Sequence, residues 1–229
     1  ITDCRRLVIY ESIGSTQTHL TNLVREGERH VGAVVALEQT EGRGRYGRYW
    51  YTPKGSALAV SWACFDYEDW ARPELLGMAA ALAGALALDT YLAWPNDLVL
   101  PSPQGGGNPS WRKVGGVLCE LVPSPSGSLV PVIGVGINLS VETFPEELQT
   151  VATSLFLAGR PVPTWQEALQ GIWEKWEELP EPYTWLDLAS YWLPRDKTAG
   201  KKYRLPGGQV GVAQGISEEG WLIAEINGE

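Results

Sequence analysis

Nearly continuous apolar runs recur along the chain and are separated by polar, glycine-rich or proline-rich stretches. Short runs bounded by turn residues are typical of strands that lie in a hydrophobic core. The runs predict strands at residues 5–10, 31–38, 56–63, 93–100, 111–122 and 130–140. The stretch between the second and third of these therefore joins two strands and not a strand and a helix.

Helical patterns lie between the early strands. Ser15 or Thr16 is the predicted N-cap of a first helix, whose apolar stripe ends before Gly27. These hydroxyls either cap the helix alone or, together with its free N–H groups, hold a polar ligand. Residues 74–88 predict a buried helix whose many Ala and Gly residues permit close approach to a sheet.

The pattern changes after the last long strand. Thr164 and Glu167 have the spacing of a capping box and precede an amphipathic helix, whose tryptophans are expected in the core. Residues 184–193 predict another helix.

Short alternating runs from Gly200 onward, separated by Gly-Gly and Ser-Glu-Glu-Gly turns, predict a small antiparallel β module. The domain boundary is placed near residues 197–200, which gives domains of 1–196 and 197–229. The composition of 102–110 predicts a poorly ordered hairpin tip.

Composition narrows the class of protein. The 229 residues are 44% hydrophobic and 20% charged, which suits one large domain with a small one attached. The longest apolar run, Leu75 to Leu88, is too short to span a bilayer, and no secretory leader opens the chain. We therefore expect a cytoplasmic protein with no membrane partner. The cysteines at 4, 64 and 119 are expected to be buried and inert, because their spacing suggests neither disulfides nor a zinc site.

The most unusual stretch is EGRGRYGRYW, from Glu41 to Trp50. The chain carries a net charge of -9, yet Gly42 through Phe65 contains no Asp or Glu. Three arginines supply bidentate donors, three glycines allow close backbone approach, and three aromatic rings could wall an apolar group. The stretch therefore predicts a loop that binds an anion.

Other interpretations of this loop are weaker. The letters GRGRYG satisfy G-x-G-x-x-G, but a dinucleotide site needs a helix next, and Pro53 and Gly55 oppose one. A kinase glycine-rich loop would be followed by V-A-I-K and H-R-D segments, which are absent from the sequence. An Arg-Gly segment could also bind single-stranded RNA, but the acidic chain disfavours nucleic acid as a partner.

Polar residues and glycines interrupt three of the later strands. The pair Asn96 and Asp97 follows Pro95, which most often marks only a turn, although Asp97 offers a carboxylate for Mg²⁺ and Asn96 an amide for sugar or phosphate. Lys113 lies at the start of the next strand. Glycine pairs in strands suggest close approach by a ligand or by another backbone, and they occur at 115 and 116 and at 134 and 136, before Asn138.

Taken in order, these motifs resemble the biotin protein ligases over nearly the whole chain. The matching segments are Gly14 to Thr16, Gln39 with GRGRYGRYW, WPNDL, RKVGGVLCEL, VIGVGINLS and the terminal β module. The resemblance implies an α+β protein, with a mixed-sheet catalytic domain and a small SH3-like β-barrel at the C-terminus. It also implies that ATP and Mg²⁺ activate biotin to biotinyl-5'-adenylate, and that biotin then passes to a lysine of the biotin carboxyl carrier protein of acetyl-CoA carboxylase.

The same resemblance assigns roles to individual residues. Biotin contacts are expected from Ser15, Thr16, Gln39, Gly42, Arg43, Arg45, Lys113, Gly115, Gly116 and Leu118. Contacts to ATP or the adenylate are expected from Arg45, Arg48, Trp50, Asn96, Lys113, Gly134, Gly136 and Asn138. The catalytic cations would be Arg45, Arg48 and Lys113, and Asp97 would hold the metal.

The sequence departs from the family pattern in places. Ala93 stands where members commonly have lysine before WPND, and the β module is shorter than expected. No helix-turn-helix segment precedes the catalytic part, so repressor activity on DNA is not expected. A lipoate or octanoate transferase is the nearest competitor, but the expected R-R-x-G-G-G-like stretch is missing. Monomer and homodimer both remain open.

Overall fold

The apolar runs become strands of one seven-stranded mixed sheet in a computed structural model that describes residues 5–101, 111–205 and 207–226. The predicted strand 93–100 is the exception, because a turn at 94–96 divides it between two strands. The sheet's order is β1-β2-β3-β7-β6-β5-β4; β1 and β2 are parallel, and the other neighbours are antiparallel. The strands are β1 (Arg6–Tyr10), β2 (Val31–Ala36), β3 (Ala57–Ala63), β4 (Tyr91–Ala93), β5 (Asp97–Pro101), β6 (Trp111–Pro123) and β7 (Leu129–Asn138). The predicted hairpin tip at 102–110 lies outside the described residues.

Four α-helices pack around this sheet, and all four were predicted. They are α1 (Thr16–Arg25), α2 (Pro73–Ala87), α3 (Trp165–Glu178) and α4 (Trp185–Trp192). Ser15 is the N-cap of α1, and its hydroxyl accepts from the Thr18 N–H. Helix α2 is buried along most of its length and contacts β6, β7 and α3, as its small residues predict. A Cβ on Gly84 would lie only 3.1 Å from Leu98 Cδ2, so a larger residue at this point would require Leu98 to move.

The two faces of the sheet are different, because side chains alternate along each strand. On β3, Leu58, Val60 and Trp62 belong to the main core, which α2, α3 and α4 cover. Ser61 points to the opposite face and contacts α1 through Thr16 and Gln17. The smaller second core, which includes Leu20 and Val24 of α1, covers part of that face, and the rest of the face is open.

The C-terminal β module is confirmed as a separate small sheet. Its strands β8 (Lys202–Arg204), β9 (Val210–Ile216) and β10 (Leu222–Glu225) form an antiparallel sheet in the order β10-β9-β8. Within residues 200–205 and 207–226 these strands make an open sheet and not the closed barrel that the resemblance implies. The division of the chain at 196/197 stays a prediction.

The module is attached to the turn that precedes β5. The Trp94 N–H donates to Thr198 Oγ1 at 2.9 Å, and the indole Nε1 donates to the Gly220 carbonyl at 3.0 Å. Tyr203 completes the attachment, since its hydroxyl donates to the Trp94 carbonyl at 2.8 Å. Backbone and indole of one residue are thus held by three separate parts of the module.

The low reactivity of the cysteines and the lengths of the helices agree with the expectations from composition. Cys64 is buried, and burial raises the pKa of Cys119 to about 12, so neither thiol is a ready nucleophile; Cys4 lies outside the described residues. Among those residues, no helix has the length and apolarity needed to cross a bilayer. The three tryptophans of α3 pack on the core but are only partly buried.

Helix α3 provides a test of the capping box. The Thr164 hydroxyl accepts from Glu167 N–H at 3.2 Å, and the Glu167 carboxylate accepts from Thr164 N–H at 2.8 Å. We expect Thr164→Ala to lower the free energy of unfolding by about 1 kcal/mol, because one N-terminal N–H loses its acceptor. Chemical denaturation measures this loss. Gln166→Ala, an exposed change in the same turn, is the control; equal losses in the two variants would contradict the capping role.

Candidate active site

A cleft of about 990 Å³ lies over the open face of the sheet. Its floor comes from β3, β6 and β7, and its walls from the start of α1, the loop 41–50, the turn 94–97 and strand β8. This volume is at the upper end of small-molecule sites, which measure roughly 300–1,000 Å³. The cleft therefore has room for two small molecules at once.

One end of the cleft is a buried, uncharged network of hydrogen-bonding groups. Gln39 Oε1 accepts from Thr16 N at 2.9 Å and from Thr16 Oγ1 at 3.1 Å, and Gln39 Nε2 donates to Thr52 Oγ1 at 3.1 Å. Thr16 Oγ1 lies 3.0 Å from Ser61 Oγ, which donates to Gln17 Oε1 at 3.0 Å. None of these side chains is more than 6% exposed. This end offers neutral donors and acceptors to a neutral polar group.

Two glycines of β7 allow other side chains to come close to the floor of the cleft. A Cβ on Gly134 would lie 2.6 Å from Gln17 Oε1, and a Cβ on Gly136 would lie 2.4 Å from the Trp50 indole. These two residues alternate along β7 and face the cleft, as the interrupted strand predicts. The glycines therefore allow the network and the indole to reach the sheet.

Two buried polar atoms beside this floor have no hydrogen-bond partner among the residues described: Trp50 Nε1 and Asn138 Oδ1. The other side-chain atom of Asn138, Nδ2, donates to the Thr153 carbonyl at 2.9 Å. Both residues line the cleft. Since buried polar groups normally find partners, one unpaired donor and one unpaired acceptor suit a ligand with polar groups.

The loop from Glu41 to Trp50 is a small hairpin above the cleft. Its base is closed by the hydrogen bond from Trp50 N to the Gly42 carbonyl, at 2.8 Å. Tyr46 and Gly47 at its tip have positive φ angles, and the Tyr46 side chain is 86% exposed. The aromatic residues predicted to wall the site are thus divided, because Trp50 lies inside the cleft and Tyr46 lies mostly outside it.

Two of the three loop arginines are tied to polar partners around the cleft. Arg45 Nη1 donates to Asn96 Oδ1 at 2.8 Å, which joins the loop to the turn 94–97. Arg43 forms an ion pair with Glu120 at the rim, with Nη2 and Oε2 separated by 2.7 Å. Arg48 also lines the cleft, and its guanidinium has no hydrogen bond or ion pair to the described residues.

Lys113 lies at the centre of the charged end. Its Nζ is 2.6 Å from Asp97 Oδ1 and 5.4 Å from the ring centroid of Trp50. Seven cationic side chains and one carboxylate, that of Asp97, line the cleft in the described parts of the chain. The cations are Arg43, Arg45, Arg48, Lys113, Lys201, Lys202 and Arg204. In a protein of net charge -9 this excess attracts an anion.

Fourteen of the residues predicted for the site line the cleft. They are Thr16, Gln39, Arg43, Arg45, Arg48, Trp50, Asn96, Asp97, Lys113, Gly116, Leu118, Gly134, Gly136 and Asn138. The structure therefore brings together five segments that are far apart in the chain.

Three other predicted residues do not line it, each for a local reason. Ser15 is turned to its capping role on α1. A Cβ on Gly42 would lie 2.2 Å from the Trp50 carbonyl oxygen, so the loop itself requires this glycine. Gly115 faces the core, where a Cβ would lie 2.6 Å from Ile137 Cδ1.

Sequence reasoning missed several residues of the cleft. Gln17 and Ser61 belong to the neutral network, and the only signal for Ser61 was a single hydroxyl within the apolar run AVSWA. Lys201, Tyr203 and Arg204 come from the C-terminal module. No motif points to these three, because only the packing of the module against Trp94 brings them to the cleft.

The fold is that of the biotin protein ligases, as solved structures show. The biotin protein ligase of Aquifex aeolicus in complex with biotin and ATP superposes with a TM-score of 0.72 at 26% identity, over 98% of this chain and 97% of that one. The Helicobacter pylori biotin acetyl coenzyme A carboxylase synthetase, at 23% identity and a TM-score of 0.69, shows the same fold over 99% and 98%.

Residues 9–138 match the model of the Biotin/lipoate A/B protein ligase family, and the chain belongs to this family. The curated Biotin--[acetyl-CoA-carboxylase] ligase of Mycobacterium tuberculosis is 29% identical over 98% of this chain and 85% of its own length. The Bifunctional ligase/repressor BirA of Bacillus subtilis is 27% identical, over 97% of this chain and 70% of its own length. The chain is an enzyme of the ligase class.

Gly134 provides a test of the floor. We expect Gly134→Ala to lower the free energy of unfolding by about 1–3 kcal/mol, because the new methyl group would overlap Gln17 Oε1, and hydrogen bonds to Ser61 and to the Val132 carbonyl hold the Gln17 side chain in place. Urea denaturation measures the change. Gly215→Ala is the matched control, since a Cβ there meets nothing within 4 Å. A Gly134→Ala protein as stable as this control would mean that the network is loosely packed.

Proposed function

We propose that this chain uses ATP to activate biotin as biotinyl-5'-AMP, releasing pyrophosphate, and then transfers biotin to one lysine of the biotin carboxyl carrier protein of acetyl-CoA carboxylase. The observation that carries the proposal is the joining of two environments in one cleft. A neutral hydrogen-bonding end adjoins a charged end around Lys113, in a cleft that seven cations and one carboxylate of the described chain line. A molecule with a neutral polar head and an anionic tail, bound beside a polyphosphate, matches both.

The neutral end favours biotin over lipoate. The ureido group of biotin has two N–H donors and one carbonyl acceptor, and Thr16, Gln39 and Ser61 present matching buried groups. The dithiolane ring of lipoate makes no comparable hydrogen bonds, so its binding would cover these polar groups without offering them a partner in place of water. A site built for hydrogen bonding discriminates strongly against such a ligand.

The charged end suits the first chemical step. An oxygen of the biotin carboxylate attacks the α-phosphorus of ATP, a new C–O–P linkage forms, and the bond to the β-phosphate oxygen breaks to release pyrophosphate. Two anions must meet, so fixed cations are needed where the charge concentrates. Arg45, Arg48 and Lys113 surround this part of the cleft. Ligands would replace Asn96 and Asp97 as partners of Arg45 and Lys113.

Mg²⁺ fits this site only together with the nucleotide. No group of three or more acidic, histidine or cysteine side chains within 5–101, 111–205 and 207–226 could hold a metal alone. Mg²⁺ usually binds through one or two carboxylates, water and substrate phosphates, and Asp97 supplies one carboxylate. Bound there, the ion would neutralise phosphate charge. Asp97 would have to release Lys113, whose ammonium would then face the reacting anions.

The second step, the transfer of biotin to the carrier lysine, depends on keeping water away from the adenylate more than on further catalytic groups. The amine of the carrier lysine attacks the carbonyl carbon of the mixed anhydride, an amide bond forms, and AMP leaves. Holding the two reactants together can contribute about 7–11 kcal/mol to the barrier reduction. Water would hydrolyse the adenylate if the cleft stayed open. The loop 41–50 therefore acts as a lid, with Arg45 and Trp50 on its inner side.

One assay separates the three candidate functions. The protein is mixed with ATP and Mg²⁺ and with either biotin or lipoate, and pyrophosphate is measured. We expect release with biotin only, followed by labelling of a carrier domain. Release with lipoate only would identify a lipoate ligase. No release with either acid, together with salt-dependent binding of a polynucleotide, would favour an RNA-binding module.

Lys113→Met is expected to abolish adenylation while biotin still binds. Removing one charge-stabilising donor typically costs roughly 100-fold to 1,000-fold in kcat, and we expect a loss of that size in pyrophosphate release. The dissociation constant for biotin, measured by calorimetry without ATP, should change only a few-fold. Lys175→Met on α3, remote from the cleft, is the control. Equal losses of binding and rate would make Lys113 a binding residue alone.

The lid is tested by limited trypsin digestion, since trypsin cleaves after arginine. We expect rapid cleavage within 41–50 in the free protein and strong protection once biotin, ATP and Mg²⁺ are present, because the adenylate would engage the loop arginines. The Lys113→Met protein, which should not form the adenylate, is the matched control. Equal cleavage of the wild-type loop with and without the substrates would rule out closure.

A further inference from the structure

Gln17 is buried at the neutral end of the cleft, and its side-chain amide can take only one orientation. The amide nitrogen donates to the Val132 carbonyl at 3.1 Å and to Glu120 Oε2 at 3.0 Å. A carbonyl and an ionised carboxylate are acceptors only, so the nitrogen must face them. The amide oxygen therefore faces Ser61, in a residue that is only 3% exposed.

This orientation determines what the Ser61 hydroxyl can do. Ser61 Oγ lies 3.0 Å from Gln17 Oε1, and no other residue in the described chain donates to that amide oxygen. A hydroxyl has one proton and two lone pairs. If the Ser61 proton pointed elsewhere, the buried amide oxygen would lose its donor, which is costly. Ser61 therefore donates to Gln17, and its oxygen has only lone pairs left to offer to a ligand.

The neighbouring Thr16 hydroxyl also has no proton for a ligand. Thr16 Oγ1 lies 3.1 Å from Gln39 Oε1 and 3.0 Å from Ser61 Oγ. Gln39 Oε1 is an acceptor, because the Thr16 N–H donates to it at 2.9 Å. The single Thr16 hydroxyl proton is thus shared between Gln39 and Ser61 and stays within the network. Both hydroxyls line the cleft, so at this point the cleft offers acceptors and no hydroxyl donor.

We propose that Gln17 is a positioning residue that fixes Ser61 Oγ as an acceptor, so that this point of the cleft binds an N–H group of the ligand and excludes an oxygen atom. The inference rests on the proposed function, in which the ligand is biotin. One ureido N–H donates to Ser61 Oγ, and the ureido carbonyl lies elsewhere. An oxygen in place of that N–H would meet the lone pairs of Ser61 and Thr16. Gln17 thus sets the selectivity through Ser61.

The role of Gln17 is tested by ligand selectivity, with biotin and the two analogues in which one ureido N–H is replaced by a ring oxygen. Wild type should bind biotin at least about 100-fold more tightly than the weaker-binding analogue. Gln17→Met has a similar volume but no amide, so the Ser61 proton is released and can be donated to the ring oxygen. We expect this ratio of dissociation constants to fall at least about tenfold. With saturating biotin and ATP, kcat should stay within about twofold of wild type.

Calorimetry on the full chain measures the dissociation constants, and thermal melting confirms folding. Gln170→Met, an exposed change on α3, is the matched control and should keep the wild-type ratio. Ser61→Ala removes the acceptor itself, so it should also lower the ratio, and adding Gln17→Met should lower it no further.

An unchanged ratio in Gln17→Met would overturn the role of Gln17, as would additive losses in the double variant. If Gln17→Met does not fold, Ser61→Ala decides alone, because an unchanged ratio in that variant means that Ser61 is not the acceptor. A wild-type protein that binds no biotin would instead overturn the proposed function.

Discussion

The turn from Trp94 to Asp97 is the junction on which the site depends. Arg45 of the loop is held by Asn96 Oδ1, and Lys113 of β6 by Asp97. Asn96 Nδ2 also donates to the Val117 carbonyl, so the turn is fixed to the floor of the cleft. Trp94 binds the C-terminal module through its backbone and its indole. Four consecutive residues thus connect the loop 41–50, the floor of the cleft and the C-terminal module.

These contacts also explain how so many cations can lie together. Arginines and lysines lining one cleft repel each other, and the repulsion is greater where water is partly excluded. Amide oxygens and single carboxylates offset the repulsion of Arg45, Lys113 and Arg43. Arg48 and Lys201 have no such partner in the described chain. The site is therefore organised in advance for negative charge, since these two side chains remain available to bind an anion.

The seven-stranded sheet separates the main core on one face from the cleft on the other. On one face, Leu58 and Ile137 belong to the main core, together with the buried residues of α2. On the other, Ser61 and the glycines of β7 leave space for polar groups to come close to the backbone. The period of two along each strand makes this separation sharp, since neighbouring residues belong to opposite environments. Gly115 and Gly116 illustrate it, because the first meets the core and the second meets Lys113.

What the sequence determined by itself was local. Continuous apolar runs predicted the strands, Ser15 and the Thr164 capping box predicted helix starts, and the acid-free arginine stretch predicted a cationic loop; each signal lies within about ten residues. The tertiary structure alone decided which partner each cation meets, which glycines face the cleft, and that Ser61, Gln17 and Lys201 belong to it. Those outcomes depend on sheet register and on the packing of the C-terminal module, which brings residues as distant as Lys201 and Asp97 to one cleft. Long-range contacts of this kind leave no period or spacing in the chain from which they could be predicted.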